Sequence, residues 1–213
     1  MKGTRPFIAA SSVTTRRVVL ATGNPGKLRE MRTILAGHGF EVVAQSELGI
    51  RAVVEDGDSF AANALIKARH AAAASGLPAI ADDSGIEVDA LGGRPGIHTA
   101  RYAGPVANEG ENNEKLLAEL ADIPEARRGA RYRCAMAFVR NADDPSPIVA
   151  EAFWEGRIGF ERRGTGGFGY DPLFIVAGGT LTAAEMPAAE KNRVSHRGKA
   201  LAALAEKMKA AGW

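Results

Sequence analysis

Val18, Val19, Leu20 and Ala21 form a short apolar run that ends at Thr22-Gly23-Asn24-Pro25-Gly26-Lys27. Such a run with a turn signal behind it predicts a buried strand, a tight turn and a helix from about Leu28 to Ala36, closed by Gly37 and Gly39. Phe40 to Ala44 predicts a second strand. Asp58 is placed to cap a long helix from Ser59 to about Ser75, stopped by Gly76-Leu77-Pro78. Phe60, Ala64, Lys67, Ala68 and Ala71 share one face of it. Ala79 to Ala81 read as a short strand running into Asp82-Asp83-Ser84-Gly85. Ile86, Val88 and Ala90 then alternate with Glu87 and Asp89, as in a half-buried strand.

Gly92 to Gly96 is a loop, and Asn108 to Leu120 a helix. Tyr132 to Arg140 and Ile148 to Trp154 are strands joined by the hairpin loop 141–147, with Arg157 to Glu161 as one more candidate. A glycine-rich loop, Gly164 to Gly169, precedes the strand Leu173 to Val176, and Ser195 caps a last helix to about Ala211. There is no internal repeat and no clear interdomain linker. The alternation predicts an α/β fold, a mixed sheet flanked by helices, with two lobes around a cleft as one arrangement. Residues 16–213 read as a single domain. Met1 to Thr15, with no apolar period and no acidic residue, reads as a disordered extension.

Composition narrows the class. The 213 residues carry 27 basic and 25 acidic side chains, a net charge of +2 that excludes the block charge of a nucleic-acid tail. A single cysteine, Cys134, excludes an intrachain disulfide, fits a reducing cytoplasmic compartment, and sits in an apolar strand as a core residue. No apolar run approaches the roughly 18 residues of a membrane span.

Four segments carry candidate chemistry. The glycines of Thr22-Gly23-Asn24-Pro25-Gly26-Lys27 let backbone amides approach an anion, the following helix points its positive end there, and Lys27 adds a charge. This is the physics of a phosphate cradle without the P-loop spacing, and its plain alternative is an ordinary strand-to-helix turn. Glu55, Asp56, Asp58, Asp82, Asp83, Glu87 and Asp89 form an acidic set; Asp82 and Asp83 follow a buried strand, where open α/β sheets place ligands, and carboxylates there could hold Mg²⁺ or one could activate water, or they could be turn residues only. Asp56 and Asp58 read as solvated loop and cap residues. Gly164 to Asp171 packs four glycines into six positions, and Phe168 or Tyr170 could stack on a base, although the pattern favours a core role for Tyr170. Lys191 and Ser195-His196-Arg197 gather donors at a helix start, suited to a carbonyl or phosphate. His38, His70 and His98 are isolated and receive no role, and no pair has zinc-ligand spacing.

In order, Thr22-Gly23-Asn24 and Lys27, Glu55, Phe60, Asn63-Ala64 and Lys67-Ala68, Ala81 to Gly85, Pro95-Gly96 with Ala100-Arg101, Phe168 to Phe174 and Ser195-His196-Arg197 resemble the inosine triphosphate pyrophosphatase family. The likeness runs from about Arg17 to Met208. It implies hydrolysis of the non-canonical nucleotides ITP, dITP and XTP to monophosphate and pyrophosphate with Mg²⁺. An elongated two-lobed fold and a homodimer are implied with it. Carried over by the resemblance, Thr22, Gly23, Asn24, Pro25, Gly26 and Lys27 bind phosphate and Asp83 is the base that activates water. Asp83 and Glu55 hold the metal, Ser84 contacts substrate, and Phe168, Gly169, Tyr170, Asp171, Lys191, His196 and Arg197 form the base pocket. Donors there would pair with the 6-oxo group of hypoxanthine or xanthine and leave the adenine amine unpaired. Guanine shares that 6-oxo group, so its exclusion needs something more. The rivals are a Maf-like pyrophosphatase of other base preference, a nucleotide sensor without turnover, and a nucleic-acid binder, against which the scattered basic residues argue.

Overall fold

The computed structural model describes residues 16–213. The expected extension, 1–15, lies outside the described residues. Six strands among these residues form one mixed sheet: β1 (Arg16–Ala21), β2 (Phe40–Ala44), β3 (Ala79–Val88), β4 (Gly129–Val139), β5 (Ile148–Ile158) and β6 (Phe174–Val176), in the order β2-β1-β3-β4-β5-β6. β1 pairs in parallel with β2 and β3, and every pairing from β3 through β6 is antiparallel. Among the described residues five α-helices accompany it: α1 (Pro25–Ala36), α2 (Phe60–Ser75), α3 (Glu109–Glu119), α4 (Ala188–Val194) and α5 (His196–Ala210).

The two-residue period of the strands decides which helix meets which face. Val18, Leu20, Ile80, Met136 and Phe138 pack with Met31 and Leu35 of α1 and Leu201, Leu204 and Met208 of α5. Val19, Ala21, Ala79, Ala81, Ala137 and Val139 pack with the alanine face of α2, where Ala64, Ala68 and Ala71 are fully buried. Small residues on both sides let α2 approach closely. Farther along the sheet, Ile86, Tyr132, Trp154, Leu173 and Phe174 form a third core with Leu116 of α3.

Three expectations change. Ser59, not Asp58, caps α2, because its side chain accepts from Ala62 N. Asp82 to Gly85 is not a turn: β3 runs unbroken through it, since ten successive residues pair with β4. Arg157 to Glu161 is not a further strand, because β5 continues through it to Ile158. The helix α4 and the 3₁₀ turn Gly96–Arg101 carry no sequence signal strong enough to have been expected.

Candidate active site

Alternation along β3 sends its neighbouring acids to opposite faces of the sheet. Asp82 faces α1 and α5. Lys27 Nζ lies 3.0 Å from its Oδ2, and Arg197 Nε donates to the same oxygen at 3.3 Å. Asp83 faces α2, where Lys67 Nζ donates to its Oδ1 (3.1 Å) and Asn63 Nδ2 to its Oδ2 (3.2 Å). Lys67 also donates to Glu55 Oε2 (2.7 Å), so one ammonium joins the two carboxylates.

Their electrostatics diverge. Burial is the largest influence on Asp82 and would raise its pKa, but Lys27, Arg197 and Lys67 together outweigh it and hold the carboxyl far below the usual range. Burial also dominates at Asp83. There Lys67 and Lys27 oppose it, Glu55 adds to the rise, and the pKa ends above its ordinary value. Burial would discharge Lys67, yet the charges of Asp83, Asp82 and Glu55 prevail and raise its pKa. Two adjacent carboxylates thus take different roles: Asp82 is a fixed anion, and Asp83 is a more basic one.

Asn24 caps α1, and its Oδ1 accepts from the amides of Gly26 (2.8 Å) and Lys27 (3.1 Å). This corrects the expectation that those amides stand open for an anion: the cap side chain takes them. Gly26 is required for packing, because a Cβ there would lie 2.6 Å from Phe168 Cδ1. The glycine-rich loop therefore closes onto the start of α1.

The Phe168 ring has Lys191 Nζ and Arg197 Cζ at 4.8 and 5.3 Å from its centroid. Lys191 and Arg197 are not the free donors the sequence led us to expect. Lys191 Nζ donates to Asp171 Oδ2 (2.6 Å) and Glu30 Oε1 (2.8 Å). Arg197 donates through Nη1 to Glu30 Oε2 (2.6 Å) and through Nη2 to Ser84 Oγ (2.8 Å). Buried cations need such partners. Asp171 also accepts from Phe168 N and Tyr132 Oη. Tyr170 is buried, as its pattern favoured, and donates to Thr99 O (2.9 Å) while lining the cleft.

His196 stacks on Tyr132, with centroids 4.5 Å apart and planes 7° from parallel, and its buried Nδ1 has no partner. Burial, followed by the charges of Arg197 and Lys191, lowers its pKa well below the usual value and keeps the ring neutral. Its stabilising effect is complete above the unfolded pKa, about 6.5, and is lost as pH falls below it by up to about 1.4 kcal/mol per unit. His196→Gln is expected to flatten the decline of stability between about pH 6.5 and 5. Urea unfolding at several pH values checks this, and parallel curves for the two proteins would refute it.

One cleft of about 560 Å³ collects Thr22, Gly23, Asn24 and Lys27 with Glu55, Lys67, Asp83 and Ser84, and with Phe168 to Asp171, Lys191, His196 and Arg197. Its size suits a drug-sized or nucleotide-sized ligand. Pro25 and Gly26 stand behind this lining. Cys134 is buried in the core, its thiol pushed up to about 12 by burial first. Sequence reasoning missed Glu30, Asn63 and Tyr132 as parts of this network and gave Lys67 no job. The available signals were a cation inside the apolar stripe of α2, and Glu30 three residues after Lys27 on one helix face.

A model of the Ham1 family matches residues 18–207. A dITP/XTP pyrophosphatase of Methylococcus capsulatus is 59% identical over 195 residues, covering 92% of this chain and 97% of that protein. One of Thioalkalivibrio sulfidiphilus is 57% identical over 192 residues, covering 90% and 98%. The solved structure of a HAM1 protein from Coxiella burnetii superposes with a TM-score of 0.83 at 42% identity, covering 92% of this chain and 99% of that one.

Proposed function

This chain belongs to the Ham1 family, and on that premise we propose that it is a nucleoside triphosphate pyrophosphatase acting on ITP, dITP and XTP. The observation that carries the reading is Asp83, a carboxylate held by Asn63 and Lys67 in the wall of the cleft that also holds the cradle and the Phe168 loop. Asp83 accepts the proton of a water that attacks the α-phosphorus. The P–O bond to the β-phosphate breaks, and monophosphate and pyrophosphate leave. Asn63 and Lys67 hold the two Asp83 oxygens in place for this.

The donor set fits Mg²⁺. No group of three or more His, Cys, Asp or Glu that could hold a metal occurs among the described residues, whereas Glu55 and Asp83 already share a cation, the Lys67 ammonium. Mg²⁺ takes few protein carboxylates and completes its shell with phosphate oxygens and water. When bound, the ion offsets phosphate charge and orients the leaving pyrophosphate. Glu55 and Asp83 would hold it.

For the base, Phe168 offers a ring face, and the unpartnered His196 Nδ1, as its N–H tautomer, would donate to a 6-oxo group. An amine in that position would be left unpaired. We read residues 16–213 as one domain, the working form as a homodimer and the compartment as the cytoplasm. The continuous sheet supports the first, and the last is compatible with no described helix being long and apolar enough to cross a membrane.

Pyrophosphate release from ITP, XTP and dITP with Mg²⁺ is expected. Loss of release with chelator, and little release from GTP or ATP, are expected as well. Equal rates on all five nucleotides would discard the base pocket, and release from none would discard the enzyme.

A further inference from the structure

Four cations of the cleft are already matched by carboxylates. Lys27 is paired with Asp82, Lys67 with Glu55 and Asp83, Lys191 with Glu30 and Asp171, and Arg197 with Asp82 and Glu30. Arg101 lines the same cleft, is exposed, and makes no ion pair among the described residues. Residues 1–15 contain no Asp or Glu that could supply one. Glu109, which also lines the cleft, is not paired with it either.

The backbone that carries Arg101 is held from several sides. Thr99 Oγ1 accepts from Ile86 N (2.9 Å) and donates to Gly96 O (2.6 Å). Tyr170 Oη donates to Thr99 O, and Asn112 Nδ2 donates to Ala100 O (3.1 Å). A Cβ on Gly85 would collide with Gly96 O and Thr99 Oγ1, so the bare glycine lets this turn sit directly beside the strand that bears Asp83 and Ser84. A fixed main chain thus holds an arginine without a carboxylate partner at the wall of the cleft.

Resting on the pyrophosphatase reading, we propose that Arg101 is a polyphosphate-binding residue that takes the terminal phosphates of the triphosphate and holds the pyrophosphate after cleavage. The hypoxanthine base and the sugar of ITP and dITP are neutral and have no use for a whole positive charge. Phosphates do, and the paired cations have already offset theirs locally. The planar fork of Arg matches two phosphate oxygens at once, which an ammonium cannot do.

The test is calorimetric titration of inorganic pyrophosphate and of inosine monophosphate into wild type, Arg101→Gln and Arg101→Lys. Arg101→Gln is expected to weaken pyrophosphate binding by roughly ten- to a hundredfold, the range for a charge-assisted contact. Arg101→Lys should recover part of it, with monophosphate binding and thermal midpoint unchanged. Equal pyrophosphate affinity in wild type and Arg101→Gln, equal losses for both ligands, or no pyrophosphate binding by wild type would overturn the assignment. Turnover of ITP by wild type is scored separately. Failure there sinks the pyrophosphatase reading and leaves the measured role of Arg101 in holding pyrophosphate intact.

Discussion

Asp83→Asn is expected to lose at least about 10²- to 10⁴-fold in kcat for ITP, the range for removing a positioned base, with a further loss from a missing metal carboxylate. An amide cannot take a proton from water at neutral pH. It keeps the shape of the carboxylate, and its oxygen can still accept from Lys67. The protein should therefore fold, which the near-ultraviolet dichroism and thermal midpoint would show. Asn63 is not free to turn around to suit the new amide, because its Oδ1 accepts from Gly57 N at 2.9 Å. Turnover within tenfold of wild type would remove Asp83 from the chemistry.

The second large effect belongs to Arg197. Its side chain is 2% exposed, and it meets the carboxylates of Asp82, 0% exposed, and Glu30, 14% exposed. Arg197→Leu removes a buried cation and leaves two acids short of one partner each. Such a break costs about 3–5 kcal/mol. For a protein of this length that corresponds to a fall in Tm of roughly 6–20 °C. Adding Asp82→Asn should restore part of the loss, because the stranded charge is then gone. A loss under about 1 kcal/mol would show that the network is not a structural element. Below its Tm, Arg197→Leu should also prefer ITP over ATP less strongly, since Arg197 holds Ser84 and braces Phe168.

The parts of this architecture readable in advance are those with strong local signals. The run Val18 to Ala21 followed by a glycine turn, the cap Ser195 and the hairpin around 141–147 each depend on neighbours within a few residues. The continuation of β3 through the acid pair was not legible for the opposite reason. Asp is a turn former in isolation, but here Asp82 and Asp83 sit opposite Met136 and Ala135 in an extended ladder. The strand tolerates them only because Lys27 of α1 and Arg197 of α5 reach Asp82 and Lys67 of α2 reaches Asp83. The free amides expected at the cradle failed because Asn24, named as part of the cradle, spends its side chain on capping it. Glu30 was invisible as a site residue because its partners lie 161 and 167 positions away.

That separation has a consequence for biosynthesis. Arg197 follows Asp82 by 115 positions. At typical translation speeds the ribosome needs roughly 6 to 23 s to cover that distance. For all but the start of that interval β1, α1, α2 and β3 have been made, but the guanidinium that joins Lys27 in neutralising Asp82 has not. The sheet can assemble early, yet until α5 arrives the buried carboxylate of Asp82 has Lys27 of α1 as its close cation and lacks Arg197, so the α1 face is sealed over an incompletely compensated charge. Docking of this late helix would be the step that turns a loosely closed intermediate into a working enzyme, so a ribosome stalled before Arg197 should hold a chain with an exposed and inactive cleft.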